Sequence, residues 1–152
     1  MPKALKIWFF QLMMFVFMVL PSHAKPLEIV GYRVGAQDAS TRIVLELSET
    51  TSFSILTLSN PYRAVIDLPQ AKTRIRDIDV DKGLIASARI GQHDGGKTRL
   101  VFELRGPVAV KRQFILAPSV SSPHHRLVVD LSPVLSQNFE PQNNRSPQFQ
   151  TG

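Results

Sequence analysis

Apolar and polar residues alternate with a period of two through most of this chain, and no stretch of ordinary length carries the capped amphipathic pattern of a helix. Ile43, Leu45 and Leu47 alternate with Arg42, Val44 and Glu46, which describes a strand with one face on a core. Leu100, Phe102 and Leu104 alternate in the same way with Arg99, Val101 and Glu103. Two further strands put Ala64, Ile66 and Leu68 inward against Arg63, Val65 and Asp67, and Leu127, Val129 and Leu131 inward against Arg126, Val128 and Asp130. Strands from Ser52 to Leu58 and Val108 to Leu116, with leading segments Leu27 to Val34 and Leu84 to Ile90, bring the expectation to eight. Asp38-Ala39-Ser40 and Asp94-Gly95-Gly96 supply hairpin turns, and Asn60-Pro61 and Ser122-Pro123 turn the chain elsewhere. Ile75 to Leu84 carries Asp77, Asp79, Asp81 and Gly83 and reads as a connection.

The pattern occurs twice. Arg33-Val34-Gly35 and Thr41 to Leu47 return as Arg89-Ile90-Gly91 and Thr98 to Leu104, and Arg63 to Leu68 returns as Arg126 to Leu131, at offsets of 56, 57 and 63 residues. A drift that small places the insertions in loops, where added length costs little, and keeps register within strands. Two copies predict an all-β, pseudo-symmetric β-sandwich of two about four-stranded sheets, the units spanning about 27–69 and 84–133 and closing face to face. Burial of the inward Ile, Leu, Val and Phe, at about 25 cal/mol per Å², is its main stabilising contribution.

The ends differ in composition. Lys3 and Lys6 precede an apolar run from Ile7 to Leu20, then Pro21-Ser22-His23-Ala24, so residues 1–24 are expected to be a secretory signal peptide cleaved before Lys25. The run is shorter than the roughly 20 residues a spanning helix needs, so no membrane attachment is expected after cleavage. Residues 25–134 then form one domain. Residues 135–152, rich in Gln, Asn, Pro and Ser, are expected to be a flexible linker toward a further C-terminal domain. The chain has no cysteine, so an exported domain must rely on its core rather than on disulfides.

Charge narrows the partners. Losing Lys3 and Lys6 lowers the formal net charge from +6 to +4, scattered along the chain and without the dense basic stripe that nucleic acid requires. Metal and nucleophile chemistry find no support. His93 falls in a hairpin loop, and the adjacent His124 and His125 should point to opposite faces. An EF-hand counted from Asp77 would need glutamate where Ala88 stands, and there is no Gly-x-Ser-x-Gly elbow. No metal, cofactor or catalytic residue is expected, and this segment is not expected to be an enzyme. What repeats is an outer face of arginines: Arg33, Arg42 and Arg63 in one unit, Arg89, Arg99 and Arg126 in the other. A planar guanidinium fork suits carboxylates such as those on peptidoglycan stem peptides. The plain alternative is cross-strand ion pairing with Glu46, Asp67, Glu103 and Asp130.

The doubled Arg-x-Gly and Thr-Arg-hydrophobic-Val-hydrophobic-Glu-Leu motifs, with Asn60 to Pro69 reading NPYRAVIDLP, resemble the AMIN domain, the exported module of bacterial N-acetylmuramoyl-L-alanine amidases and type IV pilus secretins. The likeness covers about Leu27 to Pro133. It implies a sandwich of two symmetry-related sheets that binds peptidoglycan and directs an attached enzyme to the division site in the periplasm, with zinc amidase chemistry confined to a separate C-terminal domain. It also leaves room for an envelope assembly module, as in secretins, that docks divisome or other envelope proteins on an outer face centred on Val44, Val65, Val101 and Val128.

Overall fold

The computed structural model describes residues 25–145, and the expected signal peptide lies outside them. Ten strands form two sheets: β1 (Glu28–Gln37), β2 (Ser40–Leu47), β3 (Ser54–Leu58), β4 (Arg63–Leu68), β5 (Lys72–Thr73), β6 (Ile85–His93), β7 (Lys97–Leu104), β8 (Val108–Leu116), β9 (His125–Pro133) and β10 (Asn143–Arg145). All eight expected strands are present, and β5 and β10 are short additions at sheet edges. The first sheet runs β5-β1-β2-β9-β8 and the second β10-β3-β4-β7-β6.

The order shows how the repeats combine. Neither unit makes a sheet of its own. Each contributes one hairpin to the first sheet and another to the second, so the units are joined along two antiparallel seams, β2 with β9 and β4 with β7. The tight turns of β1–β2 and β6–β7 keep each of those hairpins within one sheet, whereas the connections from β2 to β3 (residues 48–53) and from β7 to β8 (residues 105–107) carry the chain to the facing sheet. The alternation of inward residues is the same for either arrangement, which is why the exchange is not visible in the pattern.

The inward stripes meet as expected. Ile43, Leu45, Leu47, Ile66, Leu68, Leu100, Phe102, Leu127, Val129 and Leu131 form one core with Ile29, Ile55 and Ile85. Bulges recur at equivalent places, between Ile29 and Gly31 in β1 and between Ile85 and Ser87 in β6, and each restores the inward phase of its strand. Two buried threonines at equivalent positions fasten the connections to the sandwich. Thr41 Oγ1 accepts the Leu84 N–H at 2.9 Å, and Thr98 Oγ1 accepts the Ala71 N–H at 2.9 Å.

Part of the segment expected to be a linker is held on the sandwich. Phe139 packs edge-on against Tyr62, with ring centroids 5.2 Å apart, and β10 pairs antiparallel with β3. Between them the Gln142 carbonyl accepts the Thr57 N–H at 3.0 Å and the Gln142 N–H donates to Thr57 Oγ1 at 2.9 Å, while the Gln142 side-chain carbonyl accepts the Val110 N–H of the facing sheet at 2.9 Å. Polar composition misled here because glutamine and asparagine satisfy the open edge of β3 by hydrogen bonding, with little apolar burial. The rest of that segment lies outside the described residues.

The fit around Thr41 is tight. Gly83 has φ +57°, and a Cβ added there would overlap Thr41 Oγ1, whereas a Cβ at Gly91 meets nothing within 4 Å. Gly83→Ala is expected to destabilise the domain by about 1–3 kcal/mol, while Gly91→Ala stays within about 0.5 kcal/mol of the parent, both read from urea-unfolding midpoints.

Candidate ligand-binding grooves

Four of the six repeated arginines are held by carboxylates, in two symmetry-related sets. Arg42 forks onto Asp130 across the β2–β9 seam, with Nε to Oδ1 at 2.6 Å and Nη2 to Oδ2 at 2.9 Å. Arg99 forks onto Asp67 across the β4–β7 seam at 2.7 Å for both bonds. Each of these pairs links one repeat to the other. Arg33 binds Glu46 at 2.6 Å and Arg89 binds Glu103 at 2.7 Å, both within a hairpin. Arg63 Nε donates weakly to the Pro61 carbonyl at 3.3 Å, and Arg126 Nε is buried without a hydrogen-bond partner; among the described residues neither makes an ion pair. Register sets Arg63 beside Glu103 and Arg126 beside Glu46, but those carboxylates are already taken by Arg89 and Arg33.

Burial sorts the pairs. The Asp67 and Asp130 side chains are only 7% and 10% exposed, while their partners Arg99 and Arg42 are 29% and 49% exposed. The hydrogen-bonded guanidinium holds each carboxyl below the usual carboxylate range against the opposing effect of burial, and each arginine is pushed up by its aspartate. The aspartate thus sits at the floor, and the guanidinium forms a surface above it.

Glycine keeps that surface open. Gly35 stands opposite Arg42 and Gly91 opposite Arg99, and neither places a side chain over its arginine. This gives the Arg-x-Gly repeat a local reason: its arginine reaches an acid of the adjacent strand and its glycine uncovers the next arginine. A groove results on each outer face. One, of about 550 Å³, runs along Arg42, Asp130 and the β1–β2 turn at Asp38. The other, of about 740 Å³, runs along Arg99, Asp67 and the β6–β7 turn at Gly95 and Gly96, with β10 contributing Asn143 to its wall. The sites are shallow and lined by polar and apolar atoms in near-equal measure, suited to an extended chain that offers both.

One sequence expectation changes, and one residue escaped it. Val65, Val101 and Val128 are buried at 3–8% exposure, so the outer faces lack the apolar centre expected of them. Register explains it, since Val44 and Val128 are flanked by Arg33 and Phe114, and Val65 and Val101 by Leu56 and Arg89. Arg112 was missed. It joins Arg42 on Asp130, both its Nε and its Nη2 lying 2.9 Å from Oδ2. Its counterpart opposite Asp67 is Ser54, so a search for repeated residues passes over it, and the Lys111-Arg112 pair was its only signal. In the acidic connection Asp81 bonds Arg105, while His93 ends β6 in one sheet and His125 begins β9 in the other, directly after His124.

The pH dependence follows from the aspartates. A carboxylate whose pKa is lowered on folding contributes stability that is complete above its unfolded value, about 3.9, and is lost as pH falls through the lower folded value. Asp67→Asn/Asp130→Asn is expected to lose about 1–2 kcal/mol per pair at neutral pH, after allowance for the partly exposed arginines. Urea unfolding followed from pH 7 to below pH 4 should show the parent losing stability more steeply than the double variant, so that the two curves converge in acid.

Comparison with known proteins completes the picture. The family model described as AMIN domain matches residues 31–131, a stretch that takes in both repeats, both seams and all six arginines. An N-acetylmuramoyl-L-alanine amidase AmiC from Escherichia coli O6:H1 is 34% identical over 119 residues, covering 74% of this chain and 28% of the relative. An N-acetylmuramoyl-L-alanine amidase AmiC from Neisseria meningitidis serogroup B is 32% identical over 112 residues, covering 70% of this chain and 26% of the relative. The chain spans about a quarter of the length of these two relatives. With a match across both repeats and a sandwich built from them, the chain belongs to the AMIN domain family.

Proposed function

We propose that this domain is a non-catalytic peptidoglycan-binding module that targets a cell-wall amidase to the division septum. In this reading the chain is exported to the periplasm by residues 1–24, and hydrolysis belongs to a separate zinc domain of the parent protein. The observation that carries the proposal is the pair of equivalent grooves on opposite outer faces, each floored by a bidentate Arg–Asp pair and left uncovered by a glycine. Peptidoglycan offers both halves of a matching chemistry: sugar hydroxyls that bond to charged side chains, and peptide carboxylates that a guanidinium fork accepts. The relatives are N-acetylmuramoyl-L-alanine amidases by name, which supports the reading of an accompanying enzyme directed to the wall. The burial of Val65, Val101 and Val128 leaves less apolar surface for a protein-docking role, with Val44, Leu56 and Phe114 only half-buried.

Sedimentation with insoluble peptidoglycan tests this. Fragment 25–152 is expected to pellet with the wall, and less so at high salt. Gly35→Leu/Gly91→Leu, which covers both guanidinium groups while leaving the ion pairs intact, is expected to stay in the supernatant with an unchanged melting temperature. Failure of the parent to pellet, or pelleting of the double variant at the parent's level, contradicts the proposal.

A further inference from the structure

The two grooves share a floor but differ in how many arginines meet at its carboxylate. In the first sheet Asp130 is shared by Arg42 and Arg112, whereas in the second Asp67 takes Arg99 alone and faces Ser54. One carboxylate cannot neutralise two guanidinium groups, so the first groove keeps a cation whose side chain is 65% exposed. Lys111 adds to it. Consecutive strand residues normally point to opposite faces, yet Lys111 and Arg112 both line this groove, because β8 bulges between Val110 and Arg112. Asp38, at the far end, offsets only one of these charges. In the second groove the added cation is Lys97, which acts electrostatically on Asp67, and no arginine stands where Arg112 does.

Arg112 also has donors to spare. Its Nε and Nη2 face Asp130, which leaves the two N–H groups of Nη1 outside that contact. Together these features make a carboxylate-sized anion site that the second groove, with Ser54 in the place of Arg112, does not copy.

We infer that the groove of the first sheet binds a free carboxylate of the wall's peptide stems through Arg112 and Lys111, and that Arg112 determines this specificity. The inference rests on the peptidoglycan-binding reading and divides its labour: the first groove reads peptide charge, and the second contacts neutral parts of the polymer.

Isothermal titration of the purified chain with a soluble disaccharide-peptide wall fragment, and with the same fragment after amidation of its carboxyl groups, tests it. The parent should bind the free acid about tenfold more tightly than the amide, the loss expected for a charge-assisted hydrogen bond. Arg112→Ser, which copies the second groove while keeping the Arg42–Asp130 pair, should bind both fragments with the affinity the parent has for the amide. Adding Ser54→Arg to that variant should restore discrimination by moving the site to the opposite face. Equal binding of acid and amide by the parent, or discrimination that survives Arg112→Ser, overturns the inference. Sedimentation of the parent with whole peptidoglycan separates the two levels: pelleting without discrimination overturns this assignment alone, and no pelleting overturns the wall-binding reading with it.

Discussion

The bidentate Arg–Asp pair across each seam is the interaction on which the rest of the domain depends. Arg42 with Asp130 and Arg99 with Asp67 tie one repeat to the other at the two places where the sheets would otherwise part into hairpins. An isolated pair on a surface contributes little, and a buried pair repays its desolvation only with good geometry. These lie between the extremes, with the carboxylate buried and the guanidinium partly wet, so the fork keeps both bonds while the aspartate loses most of its water. Removing an arginine would strand a buried carboxylate, which is the costlier error. The pair thus fixes seam register and lays a flat cationic surface on the outer face in one step.

Exchange of hairpins gives that surface its place. Because each sheet takes one hairpin from each repeat, the twofold relation of the sequence becomes a relation between the two outer faces. Each face receives one seam pair, one uncovered arginine and one groove, and the grooves open in opposite directions with the core between them. A domain of this kind presents two polar faces to an extended polymer. A weak contact on each would add through effective concentration when both engage the same network.

Much of this was legible in the sequence because strand periodicity and duplication are local signals. The eight principal strands follow from alternations such as Ile43, Leu45 and Leu47 against Arg42, Val44 and Glu46, and the hairpin turns from Asp38 and Asp94-Gly95-Gly96. Cross-strand pairing of the outer arginines with Glu46, Asp67, Glu103 and Asp130 was legible as an alternative to ligand binding, and four of the six make such pairs, though which arginine takes which acid was not. What escaped depended on long-range partners. The exchange of hairpins leaves the alternation unchanged. Val65, Val101 and Val128 are on the outer face, as their phase predicts, yet wide neighbours in the same rows bury them. Arg112 owes its position to a bulge that no local pattern announces, and Gln142 owes its order to Thr57 and Val110, both distant in sequence.

The account claims above all that the guanidinium surfaces over the seam pairs are where the domain meets its ligand. Backbone amide chemical shifts of residues 25–145, followed by nuclear magnetic resonance during titration with soluble peptidoglycan fragments, test that claim most directly. Shifts concentrated at Gly35, Arg42, Arg112 and Asp130 on one face and at Gly91, Arg99 and Asp67 on the other are the predicted result. Shifts confined to the connection from Ile75 to Leu84 or to the outer edge of β6, with the seam residues unmoved, would contradict it.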